Sequence, residues 1–364
     1  MIDVLEQVNL SSAKLKKVIA DPIAMAKEVK LQYVTDSDEG YTRIKKGKGF
    51  QYMFKNKILK DQEELKRIHS LVIPPAWNDV WICKLANGHL QATGKDALNR
   101  KQYKYHPLWN KHRNHTKFHK MVLFGNVLPS IRKRVRKDLN LPTMVKEKVL
   151  ALVLTLMDKT SIRIGNESYE KLYGSFGLST LKDKHATIKK GLVEFHFKGK
   201  KSVTHTISLK NKKLAKLVKQ CRDIPGKELF QYYDEEGKRQ AIDSGMVNQY
   251  IHQIAGNDFS CKDFRTWSGT AQMFFNLLSC KKCEDEHERK KNLIDAIVKV
   301  SDQLGNTASV CKKYYIHPSL INLYENNLFD KELQKIKNRE IGKSKHLSAE
   351  EKLLLKLLED IHKN

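Results

Sequence analysis

The sequence predicts an α+β protein of two domains, a small β-rich one first and a mostly helical one after it with an inserted β-hairpin. Three observations predict this. The chain has 364 residues, 40% of them hydrophobic, enough for more than one core. Between residues 31 and 106 the apolar and aromatic residues come in short runs divided by turn residues, as strands require. Beyond about residue 107 apolar residues recur at helical spacing, broken at 192–209 by two alternating runs.

Taken in order, residues 1–30 read as a helical extension of mixed charge. LQYVTD, YTRI and FQYMF, starting at 31, 41 and 50, read as strands separated by DEG and KGKG turns. LKDQEELKRIHSLV from 59 reads as a helix that stops before Pro74 and Pro75. WICKLANGHLQATG from 81 reads as a hairpin, with Trp81, Cys83 and Leu85 alternating and Asn87-Gly88 offering a turn with positive φ. Residues 107–116 have the polar character of a flexible linker. MVKEKVLALVLTLMDKT from 144 reads as a long central helix. In 192–209, Val193, Phe195 and Phe197 alternate, a Lys-Gly-Lys-Lys turn follows, and Val203, His205, Ile207 and Leu209 alternate again. Helices are expected at 210–221, 236–255, 267–280 and 290–304. Ser348 and Glu351 have capping-box spacing ahead of a short amphipathic helix. The expected division is therefore an extension at 1–30, a first domain at 31–106, a linker at 107–116, a second domain at 117–340 and a helical tail at 341–364.

Lys and Arg number 68 against 41 Asp and Glu, a formal net charge of +27. Such an excess repels itself and suits a polyanionic partner, nucleic acid or an anionic membrane surface. Heavy use of Lys, Ile and Asn also fits an AT-rich coding sequence. No apolar run of 18 residues exists to span a bilayer. The first residues lack the basic start, apolar core and cleavage site of a signal peptide, so a reducing compartment and six free cysteines are expected. Cys280 and Cys283 with His287 offer three candidate metal ligands where structural zinc takes four, so no metal is expected there.

Four features carry possible chemistry. Arg163 follows the apolar helix directly and reads either as an ion-paired or capping residue or as a guanidinium clamp on a phosphate. The turn at 198–201 reads either as a solvated lysine tip or as lysines that a glycine lets close to a ligand. Lys262 and Arg265, three apart, share a first turn flanked by Phe264 and Trp267. QLGNTASVCKKYYIHP, residues 303–318, holds Asn306, Tyr314 and Tyr315, and nothing local says which tyrosine is chemical.

Together SIRIGNESY from 161, Gly199-Lys200, KDFRTW at 262–267 and LGNTASVCKKYYIHP from 304 resemble the type IB DNA topoisomerases, with most likeness to the bacterial and poxvirus-like branch that includes enzymes of large DNA viruses. VIPPAWNDVWIC from 72, ATGKDALNRKQYKYHPLW from 92 and YVTDSDEGYTRIKKGKGFQY from 33 resemble that branch's DNA-clamping domain. The likeness covers about residues 30–335. It implies the catalytic fold shared with tyrosine recombinases and an ATP-independent enzyme that relaxes both signs of supercoil through a 3′-phosphotyrosyl link. By position it implies catalytic roles for Arg163, Arg265, Lys200 and Tyr315, with Asn306 where many members have histidine. DNA contacts are expected from Arg100, Lys101, Tyr103, Lys104 and Tyr105, and from Lys182 and Lys262. Tyrosine recombinases often carry histidine where Lys262 stands, which favours the topoisomerase likeness; a basic DNA-binding protein with a degenerate site is the non-enzymatic alternative. No cofactor and no metal are expected. The partner is duplex DNA, bound by a monomer, in a bacterial nucleoid or at a viral replication site or virion.

That likeness sets a geometric demand. On one unbroken helix Asn306 and Tyr315 would lie on opposite faces, about 13.5 Å apart along the axis. The preceding helix is therefore expected to end near Gly305 and a new one to begin at Thr307, with Tyr315 directed to the site and Tyr314 packed beside it.

Overall fold

In a computed structural model, residues 21–47, 49–256, 259–280, 285–337 and 345–362 are described. Contacts divide the chain into two compact units, 1–120 and 121–364.

The first unit is built on a six-stranded antiparallel sheet. Its strands are β1 (Gly40–Lys46), β2 (Gly49–Phe54), β3 (Lys57–Ile58), β4 (Asn78–Cys83), β5 (Leu90–Lys95) and β6 (Lys101–Tyr105), in the order β3-β2-β1-β4-β5-β6. A short helix, α1 (Pro22–Glu28), precedes the sheet. Gly47, in the left-handed region at φ 57, turns β1 into β2. The helix α2 (Gln62–Ser70) starts where the Asp61 carboxylate accepts from the amides of Glu63 and Glu64. It lays Ile68 against Tyr41, Tyr52, Val80, Ile82 and Ala92, the core of the sheet.

Three expectations for this unit change. Residues 31–36 form no strand beyond an isolated bridge between Gln32 and Gly88, because Asp38 accepts from the Thr35 amide at 2.7 Å and closes a turn. Asn87 and Gly88 have no positive φ; Gly88 is needed for space, since a Cβ there would sit 2.6 Å from Cys83 Sγ. Residues 107–116, expected as a linker, open the helix α3 (Pro107–Asp138).

In the second unit the helix α4 (Lys146–Thr160) is central. Val149 to Leu154, Leu156 and Met157 are all buried along it. It ends at Ser161, in the left-handed region at φ 57, and a loop leads to α5 (Glu167–Tyr173). The expected hairpin is two strands of a three-stranded sheet, β7 (Ala186–Lys189), β8 (Leu192–Lys198) and β9 (Thr204–Lys210). Val193, Phe195 and Phe197 face inward as the alternation predicts. After α6 (Lys212–Arg222), the segment expected to begin a helix at 236 is a second hairpin, β10 (Gln231–Tyr233) and β11 (Arg239–Ala241). Its tip is fixed by Asp234, which accepts from the amides of Glu236 and Lys238, and by Gly237 at φ 73. The helix itself, α7 (Ser244–Ala255), starts only at the Asp243 cap.

The remaining helices are α8 (Cys261–Leu278), α9 (Glu286–Leu304), α10 (Ala308–Tyr314), α11 (Pro318–Glu325), α12 (Phe329–Lys337) and α13 (Ala349–Ile361). Helix α8 begins six residues before the expected 267, because Ser260 and Asp263 form a capping box. The expected capping box of Ser348 and Glu351 opens α13. Cys283 of the Cys280–Cys283 pair lies outside the described residues. The described cysteines are free thiols.

Helix α13 is tied in by a partly buried ion cluster. Arg132 of α3 donates to Asp158 at 2.8 Å and to Glu351 at 2.7 Å, and Trp267 Nε1 of α8 donates to Glu351 at 3.1 Å. Burial works against the Arg132 charge, but the two carboxylates outweigh it and raise its pKa. Burial likewise works against the Glu351 charge, and Arg132 outweighs it and lowers that pKa. Glu351→Ala leaves Arg132 with Asp158 as its one carboxylate partner, removes the acceptor of Trp267 Nε1, and is expected to cost about 1–3 kcal/mol, read as a lowered melting temperature. A carboxyl with a depressed folded-state pKa lends stability above its unfolded-state value and withdraws it as the pH falls through the folded one. Wild-type stability should therefore fall more steeply than that of Glu351→Gln on acidification through and below the usual carboxylate range.

Candidate active site

The site assembles where the end of α4, the β8–β9 turn, the first turns of α8 and the break after α9 converge in the second unit. One cleft there is lined by Arg163, Arg265, Lys200, His205, Phe197 and Leu304, among others.

Arg163 stands on a loop held by its own backbone. Its carbonyl accepts from the Leu178 amide at 2.9 Å, and the Ile164 carbonyl from the Ser179 amide at 2.6 Å. Gly177 permits this closeness, since a Cβ there would lie 2.5 Å from the Arg163 carbonyl oxygen. Arg163 Nη2 donates to Asn306 Oδ1 at 2.8 Å. That bond brings two residues 143 positions apart to one place, and it leaves the Asn306 amide nitrogen, 3.3 Å from the Leu304 carbonyl, as the donor end.

Arg265 is 6% exposed. Its Nη1 donates to the carbonyl of Ser161 and its Nη2 to the carbonyl of Leu304 at 2.8 Å, so it bridges the ends of α4 and α9. An arginine has five N–H donors; two go to these carbonyls, a side-chain hydrogen bond joins Arg265 to Tyr315, and Nε is buried without a partner. Burial, then the nearby Arg163 charge, pull its pKa down to about 10, against the opposing pull of Tyr315. It still carries its charge at neutral pH. Two like charges held together with little solvent favour the arrival of an anion between them.

The break after α9 follows the expected geometry. Gly305 takes φ 55 and ψ 55, caps α9, and is followed by Thr307, whose hydroxyl caps α10 by accepting from the Val310 amide. Tyr315 is the last, non-helical residue of that turn. Its backbone is seated on α8: the carbonyl accepts from Thr270 Oγ1 at 2.9 Å, and a Cβ at Gly269 would lie 2.8 Å from Tyr315 Cβ. Its ring lies beneath Arg265, 5.4 Å from the guanidinium carbon to the ring centroid. Tyr314, expected to pack, is instead 39% exposed, because the turn that carries Tyr315 inward carries its neighbour outward.

Lys200 is exposed at the β8–β9 turn. The left-handed residues of this turn are Lys201 at φ 60 and Ser202 at φ 59, while Gly199 has φ −95. His205, in register opposite Phe197 and stacked on it, also lines the cleft. Burial, then Arg163 and Arg265, lower its pKa, so the ring is neutral at pH 7.

The residues expected to contact DNA are distributed differently. Tyr103 and Tyr105 stack 6.0 Å apart on one face of the sheet, as alternation along β6 requires. Lys104 points to the other face and is half-buried. Arg100 pairs with Asp96 at 2.6 Å and Lys101 with Asp36 at 2.5 Å. Lys262 is exposed on the first turn of α8. Lys182 is held between Glu170 at 2.6 Å and Glu228 at 2.7 Å, so its charge is already matched. Ser161, Thr270, Gly269 and His205 escaped sequence reading; only the alternation of His205 with Ile207 and Leu209 hinted at its direction.

Among the described residues, no group of three or more His, Cys, Asp and Glu is placed to hold a metal ion, and no helix is long and apolar enough to cross a membrane.

A cationic cleft with a tyrosine against its buried arginine is chemically suited to a phosphodiester, and the comparisons agree on the class. Residues 101–341 match the family model of the eukaryotic DNA topoisomerase I catalytic core, and residues 49–96 match that of the bacterial DNA topoisomerase IB N-terminal domain. The chain is 33% identical over 297 residues to the DNA topoisomerase 1B of Acanthamoeba polyphaga mimivirus, covering 79% of this chain and 88% of that one. It is 24% identical over 282 residues to the DNA topoisomerase 1B of vaccinia virus strain Western Reserve, covering 76% and 87%. It is 27% identical over 286 residues to the DNA topoisomerase 1 of Mycosarcoma maydis, covering 70% and 28%. The chain belongs to the type IB DNA topoisomerase family.

Proposed function

We propose that this protein relaxes positive and negative supercoils in duplex DNA by transient cleavage of one strand, without ATP or a metal ion, as a monomer (EC 5.6.2.1). The observation that supports this reading is one cleft lined by Arg163, Arg265 and Lys200, with the ring of Tyr315 against the Arg265 guanidinium.

In this reading the Tyr315 oxygen attacks the phosphorus in line. The Tyr315 O–P bond forms, the P–O5′ bond breaks, and the phenol's proton leaves to water. Arg163 and Arg265 donate to the nonbridging oxygens, where charge builds up, and remain cationic throughout. The Asn306 amide adds an orienting donor without charge. Lys200, at the cleft's edge, gives a proton to the departing 5′ oxygen. The 3′-phosphotyrosyl product keeps the energy of the phosphodiester. Torsion drives rotation of the free end, and the 5′ hydroxyl then attacks the link and restores the strand. Among the expected DNA contacts, Tyr103 and Tyr105 form a flat aromatic face, and Lys104, Lys262 and the salt-bridged Arg100 and Lys101 supply phosphate contacts. Lys182 serves the fold, through its two carboxylates.

Incubation with negatively or positively supercoiled plasmid, in EDTA and without ATP, should yield relaxed topoisomers on a gel. Unchanged supercoils with folded protein would sink the reading.

A further inference from the structure

We propose that His205 is a positioning residue: a neutral wedge that sets the Lys200 turn and the Asn306 turn against each other so that both address one phosphate. This rests on the reading of the cleft as the site of strand cleavage.

The ring sits between two glycines that each precede a proposed catalytic residue. A Cβ at Gly199 would lie 2.7 Å from His205 Cδ2 and Nε2. A Cβ at Gly305 would collide with His205 Cε1. Gly199 has φ −95, which any residue adopts, so its lack of a side chain answers to the space the ring takes and not to backbone conformation. Gly305 answers to both, with φ 55 and the ring at its back. Lys200 and Asn306 are the next residues along each chain.

The far face of the ring is stacked on Phe197, 5.2 Å between centroids and 23° between planes. Phe197 is itself buried. The wedge therefore has a fixed back and two backbone contacts in front. The ring's lowered pKa fits this role, because a neutral ring can stay beside Arg163, Arg265 and Lys200 where a cation would be driven off. A flexible lysine gains most from such a support, since a misplacement of about 1 Å costs roughly 100-fold in rate.

The test is the single-turnover rate of covalent adduct formation on supercoiled plasmid, with protein in excess and a detergent quench, alongside the Kd for the same DNA. His205→Ala is expected to slow adduct formation about 100-fold with Kd unchanged. In a Lys200→Ala, Asn306→Ala background the same change should cost less than about threefold, because a residue acting through two others has nothing left to position. Gly199→Ala, which keeps His205 and a permitted backbone, should also be slow, and adding His205→Ala should make it no slower than His205→Ala alone. The Gly199 variant decides the matter if His205→Ala does not fold.

The proposal is overturned if both His205→Ala and Gly199→Ala cleave within about twofold of wild type, or if His205→Ala costs its full factor in the double-variant background. If wild type forms no adduct, or Tyr315→Phe still forms one, the reading of the cleft falls instead. Normal wild-type cleavage, an inert Tyr315→Phe, and His205→Ala and Gly199→Ala that are both unaffected overturn the wedge alone.

Discussion

Tyr315→Phe forms no covalent adduct with DNA and relaxes no plasmid, a loss of at least about 10⁴-fold, while duplex binding stays near wild type. The substitution removes one oxygen, with its hydrogen bond to Arg265, and leaves the contacts that seat the backbone and ring. The contact with Gly269 and the bond from Thr270 are made by the Tyr315 Cβ and backbone, and the Arg265 guanidinium still finds a ring beneath it. Tyr314→Phe is expected to cleave normally, because Tyr314 is turned outward at 39% exposure. Peptide mapping of the adduct distinguishes the two tyrosines directly. An adduct on Tyr314, or one that survives in Tyr315→Phe, overturns the assignment.

Arg265→Lys lowers the cleavage rate at saturating DNA by about 10²–10³-fold, close to the loss for Arg265→Ala. The reason is geometric. Arg265 holds the carbonyls of Ser161 and Leu304 with separate nitrogens and retains further N–H donors for an incoming phosphate. An ammonium is a point charge with three donors and cannot span that separation while also meeting two oxygens. Cleavage by Arg265→Lys at more than about a tenth of the wild-type rate would show that charge alone suffices. The burial and Arg163 repulsion that lower the Arg265 pKa also mean that the free protein holds two cations at a cost. Duplex DNA should therefore raise the melting temperature, most at low salt, and by less in Arg265→Ala.

Much of the site could be read from the chain. The break between Asn306 and Tyr315 was demanded by helix geometry once both were required at one phosphate, and Gly305 and Thr307 are the residues that make it. The hairpin at 192–210 and the central helix follow from apolar spacing of 2 and 3.6 residues, which is local information. The misreadings share a different cause. Asp38 and Asp234 close turns by accepting from nearby amides, and those bonds overrode a strand at 31–36 and an early helix at 236. At Gly88 and Gly199 the glycine answers to a neighbour distant in sequence or folded back on it, not to its own φ.

By itself, the sequence determined the hairpin at 192–210, the central helix, the division into a β-rich and a helical part, the family, and the candidate set Arg163, Lys200, Arg265, Asn306 and Tyr315. These depend on periodicity, capping and motif, each confined to a few neighbouring residues. Only the tertiary structure decided that Arg163 bonds Asn306, that Arg265 ties α4 to α9, that Tyr315 is seated on Gly269 and Thr270, and that His205 stands between two turns. Each of these joins segments far apart in the chain or depends on the space left between them. That space is set by packing of the whole unit, which no local pattern records.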